Sequence, residues 1–256
     1  MINDIEVSQD TTFTRIPSSN IDYSFYVEKI MAIGKKTNVN AGIRLGWLNG
    51  NHFKIQPRLS VETKINSKSS LNLSFASMRQ NTHLLVSGSL GLPRDIWIPA
   101  NDALPPQDSW QIALGVKRKI NPEWRVTIES YYKSMNNVIN YRPGAGITSS
   151  ANFSDLVMKG KGEAYGLEFF LEKSVGRFRG RFSNTLSWSW RTFTDINQGN
   201  PFPYRYDRRN NFYITGDYGL SPNKVFLNVG FTHQTGNPIT ILNDRVLPLN
   251  NELSIG

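Results

Sequence analysis

Ten stretches of this chain alternate apolar and polar residues with a period of two. That is the spacing at which successive side chains of a β-strand point to opposite faces. The clearest pair occupies residues 110–117 and 124–129. In the first, Trp110, Ile112, Leu114 and Val116 share one face and Gln111, Ala113, Gly115 and Lys117 the other. The turn Asn121-Pro122-Glu123 joins the two. The same alternation covers residues 21–33, 39–48, 53–63, 70–79, 163–173, a stretch ending at Trp190, 210–220 and 225–233. Asn49-Gly50-Asn51 is a hairpin signal. Pro57, inside the third stretch, is expected to demote that strand to an edge or to mark a bulge, because proline has no N–H to give to a ladder.

From the third strand onward the connections alternate short and long. The long ones are residues 80–109, 136–160, 194–208 and the tail after Gly236. A β-sandwich gives no reason for such alternation. An outer-membrane barrel does: its turns are short on the periplasmic side and its loops long on the outside. The fold expected is therefore all-β, an antiparallel transmembrane β-barrel segment of about ten strands. Asn121, Ser174 and Ser221 mark its periplasmic turns. Ile112, Leu114, Val126, Ile128, Leu227 and Val229 are expected to face lipid, and Gln111, Lys117, Arg125, Glu129 and Asn228 the lumen.

Composition narrows this reading. Mean hydropathy is -0.39, and no run approaches the roughly 18 apolar residues of a spanning helix. That argues against a helical membrane protein and leaves a barrel untouched. Six tryptophans and 12% aromatics fit interfacial girdles, although the core of a β-sandwich would give the same figure. There is no cysteine, so neither a disulfide framework nor a thiolate metal site is available. The net charge of +9 is spread along most segments without the basic run of a nucleic-acid arm. It reads as charge on a solvated lumen and on loops near lipid headgroups. The N-terminus, Met1-Ile2-Asn3-Asp4-Ile5-Glu6, has neither a basic nor an apolar signal region, so an outer-membrane reading requires the chain to be a fragment.

Several segments, in order and over nearly the whole chain, resemble the barrel of TonB-dependent receptors, specifically the large receptors with a carboxypeptidase-regulatory-like extension before the plug. They are Ile55-Gln56-Pro57-Arg58-Leu59-Ser60, Gln80-Asn81-Thr82-His83-Leu84-Leu85, Pro93-Arg94-Asp95-Ile96-Trp97-Ile98-Pro99 and Tyr132-Lys133-Ser134-Met135-Asn136-Asn137-Val138-Ile139. Further on come Gly160-Lys161-Gly162-Glu163-Ala164-Tyr165-Gly166-Leu167-Glu168, Phe202-Pro203-Tyr204-Arg205-Tyr206-Asp207-Arg208-Arg209-Asn210 and Thr235-Gly236-Asn237-Pro238-Ile239-Thr240. The resemblance implies a barrel of about 22 strands with a plugged lumen. It implies residence in a bacterial outer membrane and energised uptake of a large nutrient such as a siderophore, glycan or peptide. The partners it implies are outer-membrane lipid, the plug and remaining strands of the receptor, and the TonB energy-coupling protein. Residues 1–256 are then one partial barrel domain, with strands over about 21–235 and 236–256 in an outer loop.

Other chemistry has a plainer reading at each place. His52, His83 and His233 share no ligand spacing, and isolated positions are a better account of them than a metal site. Glu168 and Glu172 lie on one strand face and invite comparison with a glycosidase pair; lumen charge partnered across the strands by Arg179 and Arg181 is preferred. Asp207-Arg208-Arg209 is read as a loop-to-strand salt bridge rather than a contact to ligand or plug. Gly144-Ala145-Gly146 lacks the strand-and-helix context of a phosphate turn. Trp110, Trp124, Trp188 and Trp190 fall at strand ends and read as interfacial anchors. Trp97 lies among prolines in a long outer loop and is the one candidate ligand-binding residue. No catalytic, cofactor or metal residue is assigned, no enzyme activity is expected, and no nucleic-acid partner is expected.

The rival reading is a self-contained β-barrel or β-sandwich that binds carbohydrate or nucleic acid through its aromatic and basic residues. The two differ in solubility. Unpaired strand edges in lipid cost several kcal/mol per backbone group, so the expressed chain is expected to aggregate in plain buffer and to require detergent. A sharp monomer peak on size exclusion without detergent would refute the membrane reading.

Overall fold

The computed structural model describes residues 20–49, 52–86, 95–143, 156–221 and 225–239. Thirteen strands are found there: β1 Asp22–Ile33, β2 Thr37–Leu48, β3 His52–Lys64, β4 Ser69–Gln80, β5 Thr82–Leu85, β6 Ile96–Pro99, β7 Gln107–Lys119, β8 Trp124–Tyr141, β9 Val157–Lys173, β10 Phe178–Thr192, β11 Phe202–Pro203, β12 Asn210–Ser221 and β13 Val225–Gln234. Ten of them form one antiparallel meander in the order β1-β2-β3-β4-β7-β8-β9-β10-β12-β13, with β11 added beside β10; β5 and β6 form a separate hairpin. The ten expected strands correspond to the ten of the meander. The expected loops carry strand: 80–109 contains β5, β6 and the start of β7, 194–208 contains β11, and β8 and β9 reach well into 136–160. The cause is chemical: past Glu129 the chain stops alternating apolar with polar, yet its backbone stays paired with β9 up to Tyr141↔Val157.

The sheet has its apolar side outward. Ile112, Leu114, Ile128, Leu227 and Val229 are exposed, Val126 is half-buried, and among the described residues no second sheet or helix covers them. This excludes the sandwich, in which that face would be the core. The opposite face is crowded, and glycines make the room. A Cβ at Gly46 would lie 3.2 Å from Gln56 Nε2, and one at Gly115 would lie 3.0 Å from Glu129 Oε2. At Gly162 it would meet Arg191 Nη1 at 2.7 Å, and at Gly166 Tyr131 Cε1 at 2.9 Å. Each of these four glycines is roofed by a long side chain from a neighbouring strand, which is how this part of the wall accommodates large polar residues.

Pro57 does not make β3 an edge. β3 lies between β2 and β4, paired with both. Its ladder to β4 runs from Lys64↔Ser70 to Arg58↔Ala76 and ends there, where proline supplies no N–H. Side chains satisfy the backbone beyond that point. Gln56, almost fully buried, accepts the Arg79 N–H at 3.0 Å. Arg79 Nη1 donates to the His52 carbonyl at 3.0 Å. The same guanidinium grips Asp108 with two parallel bonds, at 2.8 and 3.0 Å, and Lys54 Nζ stands 3.3 Å from that carboxylate.

A buried donor without an acceptor costs about 1–3 kcal/mol. Gln56→Leu in the intact receptor is therefore expected to lower the temperature at which the folded barrel loses its compact mobility on a detergent gel. Lys64→Leu, at an exposed position on the same strand, is expected to leave it unchanged. Equal unfolding temperatures for Gln56→Leu and the parent would refute this role.

Candidate functional site

Nearly all fully buried residues gather at the long-connection end of the sheet. Leu85, Ile98, Leu104 and Val157 form one cluster, with Ile139 and Tyr141 packed against it. It seats the β5–β6 hairpin on the extended end of β8 and β9. His83 is buried in the hairpin, with Nε2 3.0 Å from the Pro105 carbonyl; burial pushes its imidazole pKa down from the ordinary value. Period-two alternation in β6 sends Ile98 into this cluster and leaves its neighbour Trp97 60% exposed. The three histidines are not brought together: His52 meets Asp102 at 3.0 Å, and His233 lies against the ring of Phe212.

A second cluster, Met135, Val138, Met158 and Phe193, packs with Ile196 and Phe202. It exists because of a bulge. The β8–β9 register shifts between Asn136 and Val138, and Asn137 takes a φ of 59°. The extra residue puts Met135 and Val138 on the same face instead of opposite faces. Asn137 Nδ2 uses the bulge to reach the Pro106 carbonyl at 3.0 Å. The segment after β10 folds over this face, with Phe193 lying where a Cβ at Gly160 would stand.

Residues 202–209 close that segment as a knot. Asp207 is fully buried and accepts the Ser189 N–H at 3.1 Å, in place of a strand carbonyl. Arg209 Nε stands 2.9 Å from its other oxygen, a close ion pair without hydrogen-bond alignment. The Arg209 guanidinium also lies over Trp190 at 4.9 Å. The ion pair Asp207–Arg209 thus lies within the knot, two residues apart, and is not the expected loop-to-strand bridge; it is Arg208 that reaches across, to Asn237 at 2.9 Å and to Gln234 at the end of β13. Arg191 stacks over Tyr204 at 4.1 Å. The Tyr206 hydroxyl donates to Asp95 beside β6, which ties this knot to the hairpin and raises the phenol pKa. Sequence reasoning missed Arg79–Asp108, Arg191–Tyr204 and Tyr206–Asp95. All three join segments far apart in the chain, so no local spacing announces them.

The carboxylates on β9 part company. Glu172 is held between Arg125 at 2.9 Å and Arg181 at 3.2 Å, which fixes it as an ion-pair partner. Glu168 instead sits opposite Glu129 across the strands. Arg179, expected as a partner for these acids, lies over the Phe226 ring. Its register neighbour on β12 is Asp217, and the ring comes from β13, the next strand beyond.

The outward aromatics line up at the strand ends. Trp47 meets Phe53, Trp110 meets Tyr132 and Tyr165 stacks on Trp188, with centroids 5.0, 5.4 and 5.5 Å apart. Trp190 Nε1 donates to the Tyr165 hydroxyl at 3.3 Å. These rings stand at the long-connection end; Trp124, beneath Lys173, and the cross-strand pair Phe178 and Tyr218 stand at the other. Two aromatic rows bounding an apolar band are the interfacial girdles of a membrane barrel. Gly144, Ala145 and Gly146 lie outside the described residues, as does the tail beyond Ile239.

Solved structures share this fold. The siderophore receptor PirA of Acinetobacter baumannii matches with a TM-score of 0.61 and 17% identity over 86% of this chain and 34% of that one. The ferric-catecholate import receptor Fiu of Escherichia coli gives 0.60 and 13%, over 83% and 34%. The alcaligin outer membrane receptor FauA of Bordetella pertussis gives 0.57 and 15%, over 85% and 38%. The chain spans about a third of the length of these receptors. No curated protein matches it. The family model for the TonB dependent receptor-like β-barrel matches residues 3–246. With its apolar side outward, its polar side crowded and its strands girdled, this chain belongs to the TonB-dependent receptor β-barrel family of the bacterial outer membrane.

Proposed function

We propose that residues 1–256 form one continuous stretch of barrel wall in a receptor that takes up a large nutrient through the outer membrane, using energy relayed by TonB. The observation that carries this is the continuous ten-strand wall, apolar outside and polar inside, matched over 3–246 by the receptor family. The β1 and β13 edges are met in the whole receptor by its other strands, and the lumen face meets its plug. Among siderophore, glycan and peptide, an iron-loaded siderophore is favoured, because the solved receptors sharing this fold are siderophore receptors. The long connections face outside and the short turns the periplasm. Trp97, exposed on a hairpin that is itself anchored by a buried cluster, is the residue proposed to touch ligand. A rigid, exposed aromatic gives stacking area at little entropic cost.

Cysteine substitution reads the orientation against the unsubstituted receptor, to which this chain contributes no native thiol. In the intact receptor on whole cells, Trp97→Cys is expected to react with a membrane-impermeant maleimide and Val175→Cys is not. Equal labelling, or labelling of Val175→Cys alone, would overturn the assigned topology. Uptake is tested separately, with radioactive iron in a catecholate siderophore and in a hydroxamate one. Iron-starved cells carrying the receptor should accumulate one of them, and an uncoupler should abolish this. Trp97→Ala should raise the half-saturating concentration by about tenfold, the scale of a lost aromatic anchor. Uptake that survives the uncoupler would reject the energised reading, and accumulation of neither siderophore would reject the iron reading.

A further inference from the structure

The short-turn end carries a charge pattern found nowhere else among the described residues. Four turns with their flanking strand ends, residues 33–37, 64–69, 117–124 and 173–178, hold nine Lys or Arg and a single carboxylate, Glu123. Lys173 takes that carboxylate at 2.6 Å. At the opposite end cations are matched by acids: Arg44 with Asp22, Arg79 with Asp108, Arg142 with Asp195 and Arg209 with Asp207. The turn lysines Lys35, Lys36, Lys68 and Lys119 are exposed. Each of the four turns also presents an aliphatic residue to the outside, Ile33, Ile65, Ile120 or Val175, between 52% and 59% exposed. In a water-filled setting these apolar groups gain nothing. At a lipid surface, each half of the pattern has a partner.

Two further features place the rim at headgroup level rather than in open solvent. Lys173 lies over Trp124 at 6.0 Å and Arg177 over Tyr218 at 5.7 Å, each a cation held on an interfacial ring. Arg118 is in phase with Leu114 and Val116 and stands opposite Val126. It is therefore on the lipid-facing wall, immediately below the apolar band.

We infer that the short-turn rim is a collar for anionic phospholipid headgroups. The lysines and Arg118 take the phosphodiesters, and the turn aliphatics enter the boundary with the acyl chains. Clustered cations at a membrane surface select anionic over zwitterionic lipid by summed electrostatic attraction. A soluble acidic protein would meet the turn lysines but would have no use for Arg118 or the aromatic pairs on the outer wall. The inference needs the outward face to lie in lipid and is independent of what the receptor imports.

The test uses the intact receptor in phosphatidylcholine bilayers with trace spin-labelled phosphatidylglycerol or phosphatidylcholine, reading the motionally restricted fraction. The parent is expected to prefer phosphatidylglycerol by about threefold or more at low salt, and to lose that preference at about 0.5 M salt, where screening is short-ranged. The combined Lys35→Gln, Lys36→Gln, Lys68→Gln and Lys119→Gln variant should fall to parity. The matching Lys→Arg set, and Arg142→Gln at the other end, should keep the preference. A parent without preference, or a Gln variant that keeps it, overturns the collar. Displacement of the labelled lipid by inorganic phosphate at equal phosphate concentration would also overturn it, making the rim a free-anion surface. If the Gln variant does not fold, the salt series on the parent decides. Orientation and uptake are read by separate assays, so their failure and the failure of this inference are distinguishable.

Discussion

A backbone N–H or C=O in hydrocarbon has no water to turn to, and leaving it unpaired costs several kcal/mol. That constraint organises this molecule. It explains why ten strands run as an uninterrupted meander, and why the one proline within a spanning strand is surrounded by substitutes. Where the β3–β4 ladder stops, Gln56 and Arg79 take over the lost backbone partners. Where the β10–β12 pairing runs out, the Asp207 carboxylate accepts the Ser189 N–H. Buried polar side chains here repair the sheet.

The same constraint inverts the usual placement of the core. The sheet turns its apolar face to lipid and fills the other with charge and amide, so no continuous hydrophobic interior forms between layers. The buried clusters lie in the folded connections at one end. These connections are small packed structures that fix where Trp97, Tyr206 and Asp95 stand. A loop held this way would lose less freedom on binding than a loose one.

The two ends of the wall are built on different electrostatics. At the long-connection end, guanidiniums are neutralised by nearby carboxylates and stacked on rings. At the short-turn end cations outnumber acids: Glu123 is taken by Lys173 and Glu172 by Arg125 and Arg181, and Lys35, Lys36, Lys68 and Lys119 stand exposed beside exposed aliphatic residues. The positive charge of the chain is thus an arrangement facing particular surroundings. A sum over the sequence shows its size and hides this asymmetry.

Strand number, strand phase and the alternation of short and long connections were legible in the sequence because a period of two is a local property. Ile112 and Gln111 had to face opposite ways whatever their neighbours did. The interfacial tryptophans followed from the same phase. Three things were not local, and only the tertiary structure decided them. Pro57 read as an edge signal, because its rescue by Gln56 depends on how β4 passes it. β8 reached past its last alternating residue, because its partner β9 holds it there and the Asn137 bulge resets its phase. Arg179 met Phe226 in place of a glutamate, because β12 and β13 follow β10 on that side of the sheet and bring the ring within reach. Period fixes which face a side chain takes, but its partner on that face comes from another strand, and only the pairing of the strands brings that strand alongside.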